Sequence, residues 1–138
     1  MEVQYMGVIV SAIIYVLIGV IWWMPWLFGQ EWLRLMGWDK KSKKQLTQMK
    51  KDAHAAYLTS VVAGLVTAYV LGYVLSMMDV RTISQAVSIT VIMWFGFTAM
   101  GSLVDYAYAH RPFRLWAINY LYHLVSMVVI ACVLVKYF

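Results

Sequence analysis

The chain has 138 residues, of which 64% are hydrophobic and only 12% charged, against roughly half apolar and a quarter charged in soluble domains. A soluble domain of this size cannot hide so much apolar surface, so lipid has to be part of its solvent. The formal net charge of +5 would suggest nucleic acid in a soluble protein. Here the basic residues crowd beside apolar runs, where anionic head groups are the simpler partner.

The first apolar run, from about residue 3 to 24, carries no charge and ends at Pro25, which cannot continue a helix without losing a hydrogen bond. It follows Glu2 and ends in tryptophans, unlike a cleaved signal peptide with its basic start and small-residue cleavage site. A retained membrane span is expected, because about twenty apolar residues cross a hydrocarbon core of ~30 Å. Next comes the stretch WWMPWLFGQEW. Trp22, Trp23, Trp26 and Trp32 suit an interfacial belt, since each ring pairs an apolar body with an N–H that wants water. The alternative is an aromatic pocket gripping a cationic or flat ligand. Residues 26–37 place Gln30, Glu31 and Arg34 together at helical spacing, with Phe28, Trp32, Leu35 and Met36 mainly on other sides. That pattern predicts a short helix lying in the head-group plane.

A basic loop at 38–52 follows, holding Lys40, Lys41, Lys43, Lys44, Lys50 and Lys51. It reads as a solvated topology determinant and as an anchor for anionic lipid, each lysine near the surface contributing about 1 kcal/mol. It lacks arginines and interleaved aromatics, so nucleic-acid binding is not expected. Three further apolar runs lie at about 53–78, 83–108 and 113–137, separated by the turns DVRT and HRP. The expected fold is a single all-α integral membrane domain over 1–138. Its four transmembrane helices form an antiparallel bundle, with a short cytoplasmic interfacial helix after the first span.

Positive charge sets the orientation. Arg34 and the six loop lysines, together with Arg111 and Arg114, fall on one side, and only Arg81 and Lys136 on the other. Both termini are therefore expected outside and the 25–52 segment in the cytoplasm, in a multi-pass protein of the cell (inner) membrane.

The segments GVIWWMPWLFGQEW, VTAYVLGYVL, MWFGF and HRPFRLWAINYLYHLV together resemble the small bacterial and archaeal membrane proteins grouped as domain of unknown function 1761. The likeness covers nearly the whole chain. It centres on Trp23 to Gly29, Trp94 to Phe97, and the Arg111-Pro112 turn leading to Asn119. The resemblance implies a four-span membrane protein and supplies no reaction and no catalytic residue.

Ionisable and polar groups inside spans are expensive unless partnered or wet, which makes them the natural candidates for a site. Trp116, Asn119, His123 and Ser126 recur at three- and four-residue steps and share one helix face. Asp105, His54 and Tyr57 lie toward the same membrane side and are expected to converge with them on a cytoplasmic polar pocket, where a histidine tuned by a carboxylate suits a proton relay or solute site. The competing readings are hydrogen bonding between helices, worth about 1 kcal/mol per bond, and an interfacial pair between Asp105 and Arg111 or Arg114. Trp94 sits too deep for a belt. It belongs either to packing or to the lining of a flat ligand, and its indole N–H needs a partner.

The three histidines stand in separate elements, no Cys-x-x-Cys or His-Glu-x-x-His is present, and the one cysteine, Cys132, permits no thiolate cluster, so no metal is expected. No cofactor and no catalytic constellation is legible either. Rows of small residues are clear, with Gly7, Ser11 and Gly19 on the first span and Ser60, Gly64, Ala68 and Gly72 on the second. Such rows let helix backbones approach closely, within the bundle or in a homo-oligomer.

These features suit a non-enzymatic protein that holds a lipid or small amphipathic ligand in the cytoplasmic half of its bundle. Two alternatives remain open. One is an oligomeric proton- or ion-coupled transporter or channel using Asp105 and His123. The other is an accessory subunit that docks a partner through its lysine-rich loop.

Overall fold

The computed structural model describes residues 4–137, and these are helical with short turns and contain no strand. The first span is α1 (Tyr5–Trp22), so the start of the expected run, at residue 3, lies outside the described residues. The chain then breaks at Trp23 and Met24, makes a wide π turn over Pro25–Gly29, and continues as the short α2 (Gln30–Leu35). The α-helix after the first span is thus Gln30–Leu35, shorter than the 26–37 segment expected from sequence.

The basic stretch is more ordered than a loop. Gly37 takes a left-handed φ of 76°, a 3-10 turn covers Trp38–Lys40, and α3 runs Lys43–Lys51. The cause is a capping box. The Ser42 hydroxyl accepts from the Gln45 N–H, and the Gln45 side chain accepts from the Ser42 N–H, which satisfies two orphan donors reciprocally. Lys50 and Lys51 fall in the last turn, where the helix dipole favours cations.

The second span is α4 (His54–Met77). A second capping box, from Thr82 and Gln85, starts the third, which comprises α5 (Ile83–Met93), a π turn (Trp94–Ala99) and α6 (Met100–Tyr108). The fourth is α7 (Phe113–Val135), entered through Pro112. Four of these continuous helices are long and apolar enough to cross a membrane.

Both short connections use the same device. Asp79 and His110 adopt left-handed φ values of 51° and 53°. Val80 then donates back to the Leu75 carbonyl, and Arg111 to that of Tyr106, closing each helix as a Schellman motif. Val80 seals the first turn by packing with Leu75 and Ala86. A β-carbon makes this conformation unfavourable and glycine removes the penalty. His110→Gly is therefore expected to stabilise the fold by about 0.5–1 kcal/mol. A rise in the thermal unfolding midpoint in detergent checks this.

The spans do not form a square. α7 is the hub, packed against α1, α4 and α5, whereas α4 and α5 make few contacts with each other. A short turn makes two helices sequential neighbours without forcing them to stay in contact, and α4 and α5 diverge to leave a groove. α1 runs antiparallel to both α4 and α7, with Gly64 against Tyr15 and Gly7 against Tyr137. The core between them holds Val8, Ala68, Leu71, Ile130 and Leu134.

The π turn in the third span has a readable purpose. Its buried residues are Ala86, Thr90, Trp94, Ala99 and Ser102. An α-helix turns about 100° per residue, so an eight-residue step from Trp94 to Ser102 would drift by roughly 80°. One extra residue in the wide turn cancels that drift, and Trp94 and Ser102 both face α7.

Candidate functional site

The N-terminal half of α7 carries a column of rings. Phe113 stacks on Trp116 with centroids 5.2 Å apart, Trp116 on Tyr120 at 6.0 Å, and Tyr120 lies 5.5 Å from the His123 ring. The third span locks the lower part. Trp116 donates its indole N–H to the Ser102 hydroxyl at 2.7 Å, and that hydroxyl donates onward to the Thr98 carbonyl at 2.6 Å. Trp94 donates to the Tyr120 carbonyl at 3.1 Å, and the Asn119 amide to the Tyr106 hydroxyl at 2.8 Å.

The first span locks the upper part. Tyr122 donates to the Tyr15 carbonyl at 2.8 Å, and the Tyr15 hydroxyl lies 3.3 Å from His123 Nδ1. Two glycines make the room. The Tyr122 hydroxyl lies 3.0 Å from where a β-carbon of Gly19 would stand, and the Tyr15 ring is as close to Gly64. Tyr15 makes no other side-chain hydrogen bond among the described residues, so this contact engages His123 Nδ1, with donor and acceptor set by the imidazole tautomer, and leaves the other ring nitrogen without a protein partner there.

His123 also floors the groove between the diverging spans, a space of about 380 Å³. Val66, Thr67 and Val70 of α4 form one wall, and Met93 and Thr98, at the π turn, the other. Three polar side chains from three helices thus border one lateral opening. That combination can hydrogen-bond a ligand while leaving its apolar part in contact with lipid.

A second groove, of about 300 Å³, lies where α1 ends and α7 begins. Trp22 and Phe28, with rings 4.7 Å apart, form one side, and Ile118 and Leu121 the other. Trp22 is pinned by its N–H donating to the Ile118 carbonyl at 2.9 Å. Gly29 lets the π turn fold onto the end of α1, because a β-carbon there would collide with the Trp23 carbonyl oxygen. Glu31 closes the mouth, gripped by both ends of the Arg34 guanidinium and by Arg114 Nη1 at 3.1 Å. The Arg34 hydrogen bonds, and then that from Arg114, hold the Glu31 carboxyl below the usual carboxylate range. These bonds are present at neutral pH and are lost as pH falls through that lowered value.

The sequence-derived candidates are only partly gathered. Trp94, Trp116, Asn119 and His123 join the column, but Asn119 spends its amide on Tyr106 and does not line the His123 groove. His54 and Tyr57 are exposed at the start of α4, and Asp105 is exposed on α6. Asp105 forms no ion pair among the described residues. Arg114 pairs instead with Glu31, and Arg111 donates to Met36 Sδ at 3.3 Å.

The tryptophans divide in the same way. Trp22 and Trp23 turn inward, Trp23 packing on Tyr122 at 4.7 Å, while Trp26 is 72% exposed and Trp32 packs on Trp38. Within the small-residue rows, Gly7, Ser11, Gly64, Ala68 and Gly72 are buried, Gly19 is half-buried beneath Tyr122, and Ser60 is exposed.

Sequence reasoning missed Tyr15, Tyr122, Thr67, Thr98 and the Glu31–Arg114 link. One signal was available for Tyr15, a large ring set within a row of small residues, which requires a glycine opposite.

The fold and its apolar helices define an all-α, four-span integral membrane protein with lateral openings between its helices. More particularly, the chain belongs to the family described as Protein of unknown function (DUF1761), which matches residues 6–135. Neither the curated proteins nor the solved structures offer a match.

Proposed function

We propose that this protein holds a small amphipathic ligand within the membrane, in the groove between α4 and the third span. His123 carries the reading: Tyr15 occupies its Nδ1, while the ring borders a lateral groove with Thr67 and Thr98 beside it. The ligand class that fits is a chain or flat ring bearing a hydroxyl, which can donate or accept. Its polar atom bonds the imidazole nitrogen that Tyr15 leaves free, and its apolar part lies along Val66, Val70 and Met93. Mostly apolar walls with a few convergent polar groups are the general character of small-molecule sites.

The charge asymmetry supports a membrane orientation with the termini outside. The six lysines sit on or beside α3, most of them exposed, where they suit contact with anionic head groups.

Native mass spectrometry of protein released from mild detergent tests the ligand reading. A reproducible bound mass is expected, and His123→Leu is expected to lower its occupancy several-fold, since an interhelical-type hydrogen bond contributes about 1 kcal/mol and 1.4 kcal/mol is tenfold. Asn119→Leu is expected to leave occupancy unchanged, because its amide is engaged with Tyr106. A bound mass indifferent both to His123→Leu and to blocking the groove with Val70→Trp would refute the siting.

A further inference from the structure

The groove at the junction of α1, the π turn and α7 is separate from the one His123 borders, and it has a different chemistry. Its walls are apolar and preformed: Trp22 is fixed by its bond to the Ile118 carbonyl and by Phe28 packed against it. Its mouth is ionic and lies at the ends of two spans, which is head-group depth whichever way the chain is oriented.

The charge at that mouth does not balance. Arg34 and Arg114 share the single carboxylate of Glu31, and Arg111 lies beside Met36 at the end of the same segment. Two guanidinium groups on the one Glu31 carboxylate leave one positive charge in excess. The Arg114 side chain is 70% exposed and binds Glu31 through Nη1 alone, so it keeps free N–H donors directed by a planar fork that suits phosphate oxygens.

Below the mouth, the outer face of α7 continues as an apolar strip through Leu121, Val125 and Val129, all exposed. From Arg114 to Val129 the helix rises about 22 Å at 1.5 Å per residue. That exceeds the depth of one leaflet, half of a ~30 Å core. A soluble anion would use only the mouth, whereas the groove and strip together match a head group with a chain attached.

We infer that this groove seats one phospholipid carrying a single net negative charge, its phosphate on Arg114 and one acyl chain running between Trp22 and Leu121 along α7. Glu31 then acts as an internal competitor that leaves Arg114 when the phosphate arrives. The short segment 25–35 forms one wall of the groove, and the bound lipid takes the place of the bridge that ties it to α7.

The test uses the full chain in nanodiscs of equal phosphatidylcholine and phosphatidylglycerol, extracted into mild detergent and weighed by native mass spectrometry. One retained phospholipid per chain is expected, with phosphatidylglycerol favoured about tenfold, the scale of one charge-assisted contact. Arg114→Gln should abolish the preference, and Glu31→Gln should strengthen it. Leu121→Trp, at a lipid-exposed position that leaves the core untouched, should reduce retention of both lipids by filling the groove. Equal retention of the two lipids, or a preference that survives Arg114→Gln, overturns the proposal. So does retention unaffected by Leu121→Trp, or displacement of the lipid by millimolar inorganic phosphate alone. His123→Leu should not alter phosphatidylglycerol retention, so failure here and failure of the His123 reading are distinguishable.

Discussion

Gly64→Leu is expected to cost about 3 kcal/mol or more of stability, read as a lowered midpoint in a denaturing-detergent titration. Helices in lipid gain no hydrophobic energy by meeting, because the tails they displace are as apolar as they are, so association depends on close packing and hydrogen bonds. α1 and α4 meet at Gly64, whose added β-carbon would lie 3.0 Å from the Tyr15 ring and 3.5 Å from the Ala12 carbonyl oxygen. A leucine has nowhere to go but against that ring. Overpacking of this kind costs about 1–3 kcal/mol. Displacing Tyr15 also disturbs its hydroxyl contact with His123 and strains the Tyr122 bond to its carbonyl, each worth about 1 kcal/mol.

Gly64→Ala supplies the graded control. Its methyl requires only that the Tyr15 ring give way by a few tenths of an ångström, so the loss should be a fraction of that for leucine. If Gly64→Leu unfolds within ~0.5 kcal/mol of the parent, the size of an ordinary surface change, the α1–α4 contact does not hold the bundle together.

That row of small residues was legible in the sequence for the same physical reason that much else was not. Where both lipid and protein interior are apolar, an inward face cannot be recognised by hydrophobicity. Only small and polar residues betray it. Gly64, Ala68 and Gly72 are buried, while Ser60, which extends the same spacing, is exposed near the start of α4. Pro25, DVRT and HRP interrupt otherwise continuous apolar runs, and the third apolar helix runs Ile83–Tyr108.

The π turn within it left only a five-residue step between Trp94 and Ala99 in the buried positions, which becomes visible once burial is known. α3 was hidden by its lysines, though Ser42 and Gln45 stand at capping-box spacing. The site suffered from a different limit. Asn119 and His123 do lie at four-residue spacing on one face, but α7 is surrounded by three helices, so adjacent residues on it meet different neighbours: Asn119 meets α6 and His123 meets α1. Spacing along one helix says nothing about what stands opposite.

The second large effect is expected at the ring column. Trp116→Ala should destabilise the bundle by about 3–5 kcal/mol, the range for truncating a buried tryptophan. Trp116 is only 6% exposed, stacks between Phe113 and Tyr120, lies 6.2 Å from Trp94, and donates to Ser102. Its removal leaves a cavity at the contact between α6 and α7 and takes away the reason for the π turn, which is to bring Trp94 and Ser102 onto one face.

A double-mutant cycle separates the two contributions. Trp116→Phe keeps most of the ring and deletes the N–H, and Ser102→Ala deletes its acceptor while sparing the ring. Each alone should cost about 1 kcal/mol, and the pair together little more than either, because both remove the same hydrogen bond. Costs that simply add would mean that the Trp116 N–H to Ser102 bond is not coupled to stability. The π turn would then have to be attributed to the packing of Trp94 and Ala99 against α7 alone.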